Sequence, residues 1–77
     1  MDIKLFLRND GCPKCEELKS ELGEHLQKIP VFFVDTLDGL TEATYNNVLT
    51  TPTLIHEGNH VMELEEIKKI IGEETDD

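Results

Sequence analysis

The sequence predicts an α/β fold of order β-α-β-α-β-β-α, with helices flanking a mixed four-stranded sheet. Three observations carry this. Two short apolar runs, Ile3-Lys4-Leu5-Phe6-Leu7 and Val31-Phe32-Phe33-Val34, bracket a stretch of helical periodicity. A strand, a helix and a strand in that order require a parallel pair joined by a right-handed crossover. Further on, Glu57-Gly58-Asn59 separates two more strand-like runs and reads as a hairpin turn, which adds antiparallel strands.

Each element has its own signal. Arg8-Asn9-Asp10-Gly11 is a turn cluster that closes the first strand. From Pro13 to about Lys28, Cys15, Leu18, Leu22 and Leu26 recur at spacings of three and four and share one helix face. Pro13 suits the first helical turn, where its missing N–H costs nothing. Gly23 is a weak point in that helix. Pro30 ends the segment, and the continuous apolar run after it suits a strand covered on both faces. Asp35 to Asn47 predicts a short second helix lined by Leu37, Leu40, Tyr45 and Val48, with Asp38 as its cap. Thr53-Leu54-Ile55-His56 and His60-Val61-Met62-Glu63 form the hairpin. Leu64 to Ile71 is a last helix with Leu64, Ile67 and Ile71 on one face and Gly72 as its stop. Residues 1–72 form one domain, and Glu73-Glu74-Thr75-Asp76-Asp77 reads as an acidic, frayed tail.

A chain of 77 residues buries only roughly 60% of the surface it exposes unfolded, so a partner is expected to complete any binding site. The formal net charge of −10 repels phosphates and argues against a nucleic-acid partner. No apolar run approaches the roughly 20 residues of a membrane helix. The start, Met1-Asp2-Ile3-Lys4, lacks the basic and apolar regions of a signal peptide. A cytoplasmic monomer without a membrane partner is expected.

The chemistry sits at one seam. Cys12-Pro13-Lys14-Cys15 joins the first strand to the first helix, and the chain has only these two cysteines. A disulfide-stapled secreted fold would spread more of them along the chain. Cys12 falls at the helix N-terminus, where unpaired N–H groups and the helix dipole favour a thiolate. Lys14 adds positive charge. Together these place the Cys12 pKa in the range of roughly 3.5–7.5 found for such motifs, below the free value near 8.5. Cys15 lies one turn further in, on the apolar face, and is expected to be buried. Cys12 is therefore the candidate nucleophile and Cys15 the resolving thiol. No cofactor is required by this chemistry.

A zinc-binding module is the competing reading, because His56 and His60 add two ligand-type residues. About forty residues separate them from the cysteines, unlike finger spacing, and they flank a turn rather than share a helix face. They read as solvated, as does His25, and no metal site is expected.

The chain resembles the glutaredoxins and related small thioredoxin-like proteins. The resemblance covers Ile3 to about Ile71: strand, Cys12-Pro13-Lys14-Cys15, helix, Thr51-Pro52 before a hairpin, and a last helix. It implies a thioredoxin-like fold and a thiol–disulfide oxidoreductase that reduces protein disulfides. It implies a cis bond before Pro52, with Pro52 against the cysteines and the backbone of Thr51 pairing with an extended substrate. Pro13, Lys14 and Arg8 would complete the substrate contacts. The Gly-Gly turn and following acidic residue of the family's glutathione site are replaced by Val61-Met62-Glu63-Leu64-Glu65-Glu66. The expected electron donor is therefore a thioredoxin-reductase-type flavoenzyme, with glutathione as the alternative.

Overall fold

The computed structural model describes residues 2–76 and has the element order expected. Strands β1 (Ile3–Leu7), β2 (Val31–Phe33), β3 (Thr53–His56) and β4 (Asn59–Val61) form one sheet in the order β2-β1-β3-β4. β1 runs parallel to β2 and antiparallel to β3, and β3 is antiparallel to β4. Helices α1 (Pro13–Leu22), α2 (Leu37–Tyr45) and α3 (Leu64–Glu74) cover the sheet.

The period-two alternation of strands sorts the side chains into two layers. Register places Val31, Leu5, Leu54 and Val61 in one row across all four strands. That row packs against Cys15, Leu18 and Leu22 of α1 and against Ile67 and Ile71 of α3. The opposite layer is smaller: Phe6, Ile55 and Ala43 of α2, with Phe32, Val34 and Val48 at its margin. The Phe6 and Phe32 rings stack there with centroids 5.4 Å apart.

Several details differ from the sequence reading, among them the ends of β2 at Phe33 and of β4 at Val61, in place of Val34 and Glu63. α1 stops at Leu22, and Gly23–Lys28 continues as a 3₁₀ segment rather than as the same helix. The cap of α2 is Thr36, whose hydroxyl accepts the Gly39 N–H at 3.1 Å, and not Asp38. α2 also turns a different face inward. Leu37, Leu40 and Tyr45 are exposed, while Gly39 and Ala43 are buried. The reason is contact distance: Gly39 rides directly on the Phe33 carbonyl, where any Cβ would overlap it. Finally, β4 begins at Asn59, because Glu57 and Gly58 alone make the turn.

At the other end, Gly72 does not stop α3, which runs on through Glu73 to Glu74. Thr75 is buried. Its hydroxyl donates to the Ile71 carbonyl at 2.6 Å and accepts from His25 Nδ1 at 2.6 Å. Lys28 Nζ donates to the Thr75 carbonyl. His56 Nε2 donates to Glu74 Oε1 at 2.9 Å. Two histidines that read as solvated thus tie the chain's acidic end to the 3₁₀ segment and the sheet. Asp77, the last residue of the expected frayed tail, lies outside the described residues.

Candidate functional site

The loop between β1 and α1 is held before the cysteines begin. The Asn9 backbone N–H donates to Asp35 Oδ2 at 2.9 Å, and its side-chain amide to Asp35 Oδ1 at 3.2 Å. Burial pushes the Asp35 carboxyl up, but hydrogen bonds from Asn9, together with the backbone N–H groups of Asp35 and Asp10, outweigh it and leave its pKa below the usual aspartate value. Gly11 then takes a φ of +72°, a left-handed turn that a side chain would strain, and delivers Cys12 to the helix start.

Cys12 is the cap of α1. Its Sγ accepts the Cys15 N–H at 3.2 Å, and its carbonyl accepts the Glu16 N–H at 3.1 Å. Pro13 occupies the first helical position. Cys12 and Cys15 are joined as a disulfide with their Cα atoms 5.2 Å apart. The two sulfurs have unlike surroundings. Cys15 has no exposed surface and belongs to the larger core cluster, whereas Cys12 is half-buried at its rim.

Thr51 approaches from the loop before β3. Its hydroxyl donates toward Cys12 Sγ at 3.7 Å, and its carbonyl oxygen lies 3.9 Å from the same sulfur. The Thr51-Pro52 peptide bond is cis, as the resemblance implied, and Pro52 is buried. Once the disulfide is reduced, a Cys12 thiolate in this position accepts two hydrogen bonds, from the Cys15 N–H and the Thr51 hydroxyl. Hydrogen bonding to the charged form favours it.

Around the sulfurs lies a groove of about 460 Å³ lined by Arg8, Gly11, Cys12, Pro13, Lys14 and Thr51, among others. Of the seven residues singled out from the sequence, Arg8, Cys12, Pro13, Lys14 and Thr51 line the groove; Cys15 is bonded to Cys12 but buried, and Pro52, also buried, does not line it. A second cavity of about 150 Å³ adjoins it and shares Arg8, Leu49, Thr50 and Thr51. Its apolar wall is Val34, Leu40, Ala43, Val48 and Leu49. Sequence reading missed Leu49, Asn9, Asp35 and Gly39. Leu49 carries a legible signal, as an apolar residue between Asn46-Asn47-Val48 and Thr50-Thr51; the other three depend on tertiary contacts.

The histidines do not join the cysteines. His60 pairs with Ile55 and His56 with Asn59, so the two imidazoles stand on opposite faces of the sheet. Among the described residues, no group of three or more His, Cys, Asp or Glu side chains is placed to hold a metal ion.

Fold and site together define a small mixed α/β protein with an open four-stranded sheet and a cysteine pair able to form a disulfide at a helix N-terminus. No family model, curated protein or solved structure matches the chain in comparison. No helix among the described residues is long and apolar enough to cross a membrane.

Proposed function

We propose that this chain is a thiol–disulfide oxidoreductase of the thioredoxin type that reduces disulfides in other proteins through Cys12 and Cys15. One observation carries the reading. The two sulfurs bonded to each other differ in position and exposure, as attacking and resolving thiols do: Cys12 caps the helix and reaches solvent, and Cys15 is fully buried.

The reaction balances as two exchanges. The Cys12 thiolate attacks one sulfur of the substrate disulfide; that S–S bond breaks, and the departing thiolate takes a proton from water. A mixed disulfide remains. Cys15 gives its proton to solvent and attacks Cys12 Sγ, which expels the second substrate thiolate. Two electrons have passed to the substrate, and the Cys12–Cys15 bond has formed. A two-electron donor must reopen it, and a flavoenzyme of the thioredoxin-reductase type fits a chain that carries Met62 and Glu63 at the positions of the glycines in glutathione sites.

Dependence on glutathione is the second reading. Its support is the charge of the groove, where Arg8 and Lys14 face an anionic tripeptide. The test is reduction of the oxidised protein by glutathione, or by NADPH with a thioredoxin reductase, followed as free thiol. Rapid reduction only by the flavoenzyme supports the first reading. Cys12→Ser abolishes disulfide reduction, and Cys15→Ser accumulates mixed disulfides. Failure of Cys12 in the reduced protein to outpace free cysteine toward iodoacetamide at neutral pH removes the redox assignment altogether.

A further inference from the structure

The chain carries 17 acidic residues against seven lysines and arginines. Among the described residues, not one carboxylate lines either the groove at the disulfide or the cavity beside it, whereas Arg8 lines both and Lys14 one. Three lysines elsewhere are engaged in ion pairs. Lys4 pairs with Glu42, Lys19 with Glu16, and Lys68 with Glu17, Glu21 and Glu65. Arg8 is exposed and has no ion pair or hydrogen bond with any described residue. Asp35, in the loop after β2, is hydrogen-bonded to Asn9. Arg8 therefore stands as an unmatched charge in an acidic molecule, at the place where two cavities meet.

The second cavity adds what charge alone lacks. It is open to solvent, continuous with the disulfide groove, and walled by Leu40, Val48 and Leu49. Leu49 is 96% exposed and Leu40 54%, so this apolar surface is uncovered. From these observations we propose that the double groove binds an extended peptide segment around the target cysteine, and that it selects segments bearing both an apolar side chain and a carboxylate close to that cysteine. The apolar side chain enters the cavity walled by Leu40, Val48 and Leu49; the carboxylate meets Arg8, in a fork geometry suited to carboxylates. Glutathione offers carboxylates but no apolar side chain for that cavity, which is why the surface favours a protein segment. The proposal rests on the dithiol reading above.

The test uses the reduced, full-length chain and short peptides with one cysteine activated as its 2-pyridyl disulfide. Attack by Cys12 on the peptide sulfur forms the mixed disulfide and expels pyridine-2-thiolate, which takes a proton and is read by its absorbance as the thione. The peptides carry Leu or Ser and Glu or Gln within three residues of the cysteine, in all four combinations, with the leucine on either side in two series. Glutathione activated in the same way is the reference. In one series, the Leu/Glu peptide is expected to react about tenfold faster than Ser/Gln, about 1.4 kcal/mol in transition-state binding. The Glu-over-Gln ratio falls to about one in Arg8→Gln, and the Leu-over-Ser ratio falls to about one in Leu40→Ser. These ratios are internal to each variant and do not depend on its stability. Four equal rates, all well above that of free cysteine, overturn the proposal and leave the dithiol reading intact. Rates no faster than free cysteine overturn both. Activated glutathione matching the best peptide, or self-association of the chain that buries Leu40 and Leu49, also overturns it.

Discussion

The two faces of the sheet are built unequally. On one, Leu5, Leu7, Leu18, Leu54, Ile67 and Ile71 are closed to solvent, and Cys15 is part of the same cluster. On the other, a single nine-residue helix covers Phe6 and Ile55 with little more than Ala43 and Gly39, and leaves Leu37, Leu40 and Tyr45 outside. The first face holds the buried sulfur in place. The second contributes the exposed apolar wall that borders the candidate site. A 77-residue chain cannot pack both faces well, and the difference shows which face its core was given to.

Core truncation is the most direct way to break that comparison. Leu18→Ala removes a side chain with no exposed surface and is expected to cost about 2–5 kcal/mol. Leu40→Ala, on the opposite face and half in solvent, should stay within about 0.5 kcal/mol. Urea unfolding of the two variants measures the contrast. Equal losses would mean that both faces are cores of the same kind.

Gly39→Ala comes next. An added methyl meets the Phe33 carbonyl, backbone that cannot rotate away, so α2 must lift from β2. Overpacking of this kind costs about 1–3 kcal/mol. The control is Gly72→Ala in α3, where a Cβ meets nothing within 4 Å and helix propensity should return up to about 1 kcal/mol. Opposite signs from one chemical change would show that the thin cover of α2 depends on contact distance and not on propensity.

Those glycines also show what the sequence made legible. Strand order, the parallel opening pair and the seam that carries Cys12 and Cys15 follow from local pattern, because period, turn residues and motif position lie within a few neighbours of one another. The inward face of α2 does not. Leu37, Leu40 and Tyr45 look like a core stripe, yet the short path from β2 sets the helix down on Gly39 and Ala43. The acidic end misled for the same reason. Glu73-Glu74-Thr75 reads as a solvated tail until His25, Lys28 and His56 are brought to it from elsewhere in the chain. Local signals locate elements, and contacts across the fold decide which surface each one buries.

A smaller effect is expected at Asp35, which steadies the loop ahead of Cys12 from the thinly covered side of the sheet. Its pKa is depressed, so its contribution is present above the ordinary aspartate value near 3.9 and is lost as pH falls through the lower folded value. Asp35→Ala should raise amide exchange at Asn9 by roughly two- to fivefold at neutral pH, as expected for loss of an exposed hydrogen bond. The wild type should approach the variant's rate ratio only in acid. Equal protection in both proteins at neutral pH would free the loop from this anchor.

The smallest effect lies on the well-packed side. Lys68 of α3 gathers Glu17 and Glu21 of α1 together with Glu65, at 2.7 Å from Glu17 and 3.1 Å from Glu65. Its hydrogen bond to Glu17 lowers the Glu17 pKa, and the same bond leads the causes that raise its own. The carboxylate side therefore stabilises above the ordinary glutamate value and fades as pH falls through the depressed one. The ammonium side persists until pH passes above the ordinary lysine range. In Lys68→Met the three carboxylates repel one another without a counterion, and protonating them relieves that repulsion. The stability gap between wild type and variant should then be widest near neutral pH in low salt, and it should close as pH drops below about 4. Urea midpoints across pH, with the Glu17 carboxyl followed by NMR, measure both halves. A Glu17 that titrates at the usual value in the wild type, or a gap that widens in acid, would leave the α1–α3 pairing to apolar packing alone.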